Sequence, residues 1–225
     1  MSRGGWFVCP VCGRELEGVA GGGALRCSSG HAFEVGKRGY VALVVGRSAL
    51  VRSEAASLLD EVDALWGSGA YAGVAEAVVA MLPAGAAVRV VDVGADLGHV
   101  AEAVRSARSD ADVLVVSSSP GRLVRAMGRA GAEGVLVDPV RALPVRDGVA
   151  GVVLCAFGAH RPAEFHRVLA GGGVLLLAVD AFQVGAVDDD LYPWFEHDQT
   201  RIVAETPGEG VAVLRYRRRR RPITW

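Results

Sequence analysis

Three cysteines and a histidine near the amino terminus have the spacing of a metal site. Cys9-Pro-Val-Cys12 sets two thiols on one tight turn, and Cys27-Ser-Ser-Gly-His31 offers a thiol and an imidazole after 14 intervening residues. Zinc takes four nitrogen or sulfur ligands in a tetrahedron, and two such knuckles supply them. Four protein ligands leave no open position, so the expected ion is structural rather than catalytic. A segment this short buries too little apolar surface to fold alone, and metal binding would provide the folding free energy. The alternative is two unrelated ligand pairs.

A second constellation lies at Val90-Val-Asp-Val-Gly-Ala-Asp-Leu-Gly98, a β-branched run ending in a turn of D-x-G-x-x-x-G form. Glycine at the end of a first strand lets the backbone approach a nucleotide-like ligand. Gly94 and Gly98 are the candidate close-approach positions, and Asp92 would orient the loop. The spacing is not the G-x-G-x-x-G of a dinucleotide site. The next strand would ordinarily end in a carboxylate that holds a ribose. Here it ends in Ser117-Ser-Ser, so Ser117 and Ser118 are the candidate ribose contacts, without a carboxylate's charge-assisted strength. After the third strand, Asp138 could accept a hydrogen bond from an exocyclic amine, or simply cap the turn before Pro139. His160, just past the fourth strand, is the candidate proton acceptor; a lone loop histidine can equally be structural or solvated.

Positioning these residues takes three regions: a ribbon over residues 1–45, a helical linker over 46–84, and an α/β domain over 85–225. In the linker, Ala55, Leu58, Leu59, Val62, Leu65 and Trp66 recur at helical steps, Gly67-Ser-Gly69 breaks the pattern, and a second helix runs from about Tyr71 to Leu82. Beyond it, strands at 88–93, 113–116, 134–137, 149–156 and 174–179 alternate with helices at 98–108, 120–130 and 162–169. That alternation predicts βαβ units and a mostly parallel sheet. Asp188 to Asp190 reads as a polar, acidic segment, and Thr200–Thr206 with Val211–Tyr216 as a closing hairpin across Pro207-Gly-Glu-Gly.

With a formal net charge of -1, the composition announces no nucleic-acid partner. The local pattern is more suggestive. Lys37, Arg38 and Tyr40 follow the second knuckle, and Arg217 to Arg221 is an unbroken basic run. Either could meet phosphates and bases, or be ordinary solvated surface. Trp6, Phe7 and Phe33 could stack on bases or form the ribbon's small core. No apolar segment is long enough to span a bilayer, and no secretory signal pattern begins the chain. A reducing, cytoplasmic setting is the expectation, with no membrane partner.

The order of these pieces resembles a family. Cys9–Cys12, then Cys27–Phe33, then Lys37–Leu43 as Lys-x-Gly-Tyr-Val-x-Leu, then Gly69–Tyr71, are similar to the RlmA-type 23S rRNA guanine-N1 methyltransferases, which include macrolide-resistance members from actinomycetes. The likeness continues through Arg141-Ala-Leu-Pro and Glu164 to Gly173. It implies a small zinc ribbon followed by a helical linker and a Rossmann-like class I methyltransferase domain. It also implies S-adenosylmethionine as donor and a hairpin of 23S rRNA as substrate. By position, Asp92, Gly94 and Gly98 would line the donor site, Asp138 would face the adenine, and Ala156 to His160 would border the transfer pocket. A homodimer is carried as one assembly open to the chain.

Two departures stand out. The family loop is Asp-x-Gly-x-Gly-x-Gly, and Asp96 replaces the middle glycine, where its charge would repel the donor's carboxylate unless it turns away. The polar stretch after the Gly-Tyr-Val-x-Leu run is changed to Gly46-Arg-Ser-Ala-Leu-Val. Three readings remain open: an active rRNA methyltransferase, a binding protein with a lapsed donor site, and a methyltransferase of small natural products.

Overall fold

The computed structural model describes residues 5–46, 54–85, 88–138, 141–203 and 210–224. Strands β1 (Leu16–Gly18), β2 (Ala24–Cys27) and β3 (Ala32–Glu34) form an antiparallel ribbon sheet in that order. β4 (Val41–Ala42) leaves the ribbon, and helices α1 (Ala56–Gly67) and α2 (Ala72–Ala80) follow. The α/β part runs β5 (Arg89–Val93), α3 (His99–Ala107), β6 (Asp112–Ser117), α4 (Pro120–Ala130), β7 (Glu133–Leu136), β8 (Ala150–Ala156), α5 (Pro162–Val168), β9 (Leu169–Asp180), α6 (Val184–Leu191), β10 (Phe195–Val203) and β11 (Val211–Arg218).

Eight strands form the main sheet in the order β10-β11-β9-β8-β5-β6-β7-β4. Those from β9 to β4 are parallel, and β11 pairs antiparallel with both β9 and β10. Strand order reverses between β5 and β8, the point where an open α/β sheet leaves a crevice at its carboxyl edge. The expected hairpin is therefore present, with strands longer than predicted; residues 204–209 of its connection lie outside the described residues.

Alternate residues of the buried strands serve opposite faces. Val90, Val113, Val115, Val152 and Leu154 pack under α2, α3 and α4, against Val74, Val78, Val104, Leu123 and Ala126. Val91, Val93, Leu114, Val116 and Val135 face the other way. On that side α5 and α6 supply Phe165 and Leu191, and the ribbon supplies Trp6, Phe7, Leu16, Leu25 and Leu43.

Among the described residues no helix joins β7 to β8. A parallel strand needs cover on both faces, and here the ribbon provides it. Phe7 bridges Val145, Val8 N–H donates to Pro144 O at 3.0 Å, and Val41 pairs with Val135. The Arg89 guanidinium lies 3.6 Å from the Trp6 ring centre. Trp6 and Phe7 are thus core residues, each 2% exposed, and not base-stacking platforms.

The segment expected to be merely acidic is α6, where Asp188 accepts the Tyr216 hydroxyl at 2.6 Å. The arginine run is partly engaged by the fold and partly exposed, Arg217 included. Arg217 pairs with Asp198, Arg218 donates to His166 O, and Arg219 reaches Glu196 and the Tyr192 carbonyl; Arg220 and Arg221 are exposed.

Candidate functional site

The four metal-site residues converge. Cys9 Sγ lies 3.6 Å from His31 Nδ1, Cys27 Sγ 3.4 Å from the same nitrogen, and Cys12 Sγ 3.7 Å from Cys27 Sγ. All four ligand atoms sit within 4.8 Å of one another. Zinc–thiolate bonds of about 2.3 Å put tetrahedral ligands roughly 3.8 Å apart, so the donor set and its spacing fit zinc. Backbone turns hold the geometry: Gly13 N–H donates to Cys9 O at 2.8 Å, and Gly30 N–H to Cys27 O at 2.9 Å. The Arg14 backbone N–H, then the Ser29 hydroxyl, lower the Cys12 thiol to about 6, so it is a thiolate at neutral pH.

At the strand-order reversal, β5 is followed by Gly94, with φ +73° and its N–H donating to Val116 O at 2.9 Å. This stitches the loop to β6. Asp96 follows with φ +29°, a left-handed conformation that aspartate tolerates better than most residues. Its carboxylate pairs with Arg122 of α4, so the charge foreseen as repelling the donor is met by a guanidinium. Gly98 caps α3 with its N–H on Ala95 O at 2.8 Å.

Two spaces open beside this loop. One, of about 310 Å³, is bordered by Gly94, Asp96, Ser117, Ser118, Ser119 and Phe157. The other, of about 220 Å³, touches Gly94, Ser117, Ser118, Val137, Ala159 and Arg161. Of the candidate donor residues, Gly94, Ser117 and Ser118 border both spaces and Asp96 borders the first. A third space, at the loop's inner side, holds only about 10 Å³, room for one water. Asp92, Gly98, His99 and Trp66 surround it.

Trp66 closes that inner space. Its ring stacks on His99 at 5.0 Å and 5°, and it meets Tyr71 at 5.0 Å and Phe157 at 6.5 Å. His99 Nε2 is held by Asp63 at 2.8 Å. Phe157 keeps a positive φ of 57° with its side chain half exposed. Phe157 falls within the Ala156–His160 stretch expected to border the pocket; Trp66, His99, Arg122 and Glu54 have no such expectation from the sequence. The available signal was the run Arg122, Arg125, Arg129 on one face of α4, matched by Glu54, Asp60 and Asp63 around α1.

The other candidates lie apart. Asp138, 5% exposed, borders a cleft of about 460 Å³ between ribbon and sheet, with Arg141 Nε 3.4 Å from its carboxylate. His160 Nε2 lies 3.2 Å from Asp190 of α6, while its neighbours Ala159 and Arg161 face the donor-side space.

Asp92 is buried, and burial alone pushes its carboxyl up to about 7. A carboxyl whose folded value exceeds its unfolded one binds its proton more tightly when folded. Its contribution is full below about pH 4 and is lost as pH rises from there to about 7, up to about 4 kcal/mol. Asp92→Asn is therefore expected to flatten the fall in melting temperature between pH 5 and 8. Parallel melts that kept the wild-type slope would exclude Asp92 as its source.

The comparisons agree with this geometry. Residues 7–45 match the family model described as RlmA, N-terminal, a zinc ribbon. The chain is 33% identical over 177 residues to the 23S rRNA (guanine(748)-N(1))-methyltransferase of Streptomyces fradiae, across 76% of this chain and 62% of that one. It therefore spans less than two thirds of that relative's length. Among solved structures, a TehB-like SAM-dependent methyltransferase from Corynebacterium glutamicum matches with TM-score 0.57 and 18% identity, over 72% of this chain and 99% of that chain. TrmN from Thermus thermophilus matches with TM-score 0.54 and 19% identity, over 64% of this chain and 48% of that one. The chain thus joins an RlmA-type amino-terminal zinc ribbon to a Rossmann-like methyltransferase fold, and over most of its length it is similar to 23S rRNA guanine-N1 methyltransferases.

Proposed function

We propose that the chain methylates guanine N1 in a hairpin of 23S rRNA, in the cytoplasm, with S-adenosylmethionine as donor. The observation that carries this reading is the pair of spaces meeting at Gly94, at the strand-order reversal of a methyltransferase fold to which a zinc ribbon is fused. The adenosine part of the donor would lie in those spaces. Entry of its amino-acid end into the inner space would need the Trp66 ring to move, because that space has room for one water.

When bound, the donor supplies an electrophilic methyl group on a sulfonium. The chain's own contribution is alignment and exclusion of water. Gly94 leaves the donor face of the loop bare, Ser118 borders it with its hydroxyl, Ser117 lies beside it with its own hydroxyl held by the Ser119 backbone, and Arg122 pairs with both Asp96 and Glu54. Guanine N1 must lose its proton. We assign that acceptance to His160: Asp190 engages Nε2, which leaves Nδ1 to take the proton. His160→Ala is expected to lower methyl incorporation about 100-fold without changing donor affinity. An unchanged rate would remove His160 from the chemistry.

The test of the function is transfer of labelled methyl into deproteinised 23S rRNA. Primer extension then locates the product, since a methyl on N1 blocks base pairing. Labelling of small molecules with no labelling of rRNA would overturn the RNA assignment. The closed inner space favours one further reading, an RNA-binding protein that no longer takes the donor. Titration calorimetry decides between them: no heat at millimolar donor would establish it. A homodimer would appear as doubled mass in sedimentation.

A further inference from the structure

Strand β6 ends in Ser117, so it brings no carboxylate to the place where a donor ribose would lie. A carboxylate arrives there from elsewhere in the chain. Glu54, just ahead of α1, reaches across to α4 and borders the same space as Gly94, Ser117, Ser118 and Phe157. Its Oε2 accepts the Ser119 hydroxyl at 2.8 Å, and its Oε1 accepts Arg122 Nη2 at 2.7 Å and Nε at 2.9 Å.

We propose that Glu54 is the ribose-binding carboxylate of this donor site, supplied by the linker in place of the acidic residue missing from β6. The inference rests on the methyltransferase reading and names the residue that would recognise the nucleoside's hydroxyls.

Three observations separate Glu54 from a plain fastener. The other two pairs between the linker and α4 are more open: Asp60 and Asp63 have side chains 68% and 36% exposed, against 15% for Glu54. Neither of those carboxylates borders the donor spaces. Arg122 also holds Glu54 below the ordinary carboxylate range, keeping it ionised as an acceptor. A carboxylate offers about four lone-pair sites. Three donor hydrogens meet it: Arg122 Nη2, the Ser119 hydroxyl, and Arg122 Nε, which is shared between Oε1 at 2.9 Å and Oε2 at 3.0 Å. That shared contact is the one a ribose hydroxyl would take over at one oxygen, with Ser118 beside it for the second. Bonds to an ionised acceptor are about twice as strong as neutral ones, which is what serines alone cannot provide.

The experiment is titration calorimetry of the zinc-loaded full chain with S-adenosylmethionine and with its 2′-deoxy and 3′-deoxy analogues. Wild type is expected to prefer the ribose form by about tenfold or more over at least one analogue. Glu54→Gln should lose that preference and Asp60→Asn should keep it. Adding Ser117→Asp to Glu54→Gln should restore it by returning the carboxylate to β6. Equal weakening toward all three ligands in Glu54→Gln would overturn the proposal and leave Glu54 a fastener. Tighter binding by Glu54→Gln would also overturn it, showing the carboxylate to be a plug. Wild-type binding without discrimination would sink only this inference. Wild type that binds none of the three would sink it together with the methyltransferase reading.

Discussion

Removing the zinc is expected to unfold the amino-terminal layer and to loosen the sheet edge beneath it. Structural zinc sites contribute on the order of 10–16 kcal/mol of apparent binding free energy at neutral pH. A whole domain is stable by only about 5–15 kcal/mol. The ribbon has little else to hold it, since its strands are three or four residues long. Its apolar side chains are not its own, however. Trp6, Phe7, Leu16, Leu25 and Leu43 share one core with Val91, Leu114 and Val135 of the main sheet. Loss of the metal should therefore be felt at β7 and β6, far from the thiols in sequence. Hydrogen exchange on the chelated protein, or on Cys27→Ser, is expected to show protection lost over residues 7–43 and at Val135–Leu136. Cys155→Ala is the control: that thiol is buried in the sheet, and removing it should cost only about 1–2 kcal/mol with the ribbon intact. A chelated protein with its ribbon still protected would refute the zinc assignment.

The same shared core explains what could and could not be read from the chain. The strands from 88 to 179 and their helices follow from local period and from punctuation such as Ser119-Pro120 before α4, whose hydroxyl accepts Arg122 N–H. The metal ligands follow from spacing alone. That the ribbon would stand in for a helix between β7 and β8 does not, because nothing local marks a layer missing from one face. Trp6 and Phe7 have the composition of a base-stacking patch and the surroundings of a core, and only packing distinguishes the two. The donor-side charges illustrate the same limit. Asp60 and Asp63 of α1, with Glu54 just ahead of it, and the arginines at 122, 125 and 129 of α4 are each visible in the sequence. Their pairing is a tertiary fact, separated by 65 to 68 residues of chain. Asp96 as a repulsive departure was a sound local inference. Arg122, 26 residues away, pairs with that carboxylate, which local sequence does not show.

Gly98→Ala is expected to destabilise the protein far more than an ordinary loop substitution. A Cβ at this position would lie 2.6 Å from Ala126 Cα and 2.8 Å from Ala126 O. Both atoms are backbone of α4, so no rotamer change relieves the contact, and α3 and α4 must part. Overpacking of this kind costs about 1–3 kcal/mol, and a side chain at φ +85° adds about 1–3 kcal/mol of backbone strain. At about 2–4 °C per kcal/mol for a chain of this size, the melting temperature should fall by roughly 10 °C. Gly131→Ala separates the two causes: it too has a positive φ, of +58°, but nothing lies within 4 Å of its Cβ. It should show the strain without the collision. If the two variants melt together, the α3–α4 contact is not what requires glycine at 98. If Gly98→Ala is much the worse, this glycine of the D-x-G-x-x-x-G turn is demanded by helix packing whether or not a donor ever binds. The motif's evidence for a ligand then narrows to Gly94, where a Cβ would meet only Gly158 Cα at 3.6 Å and the space beyond stays open.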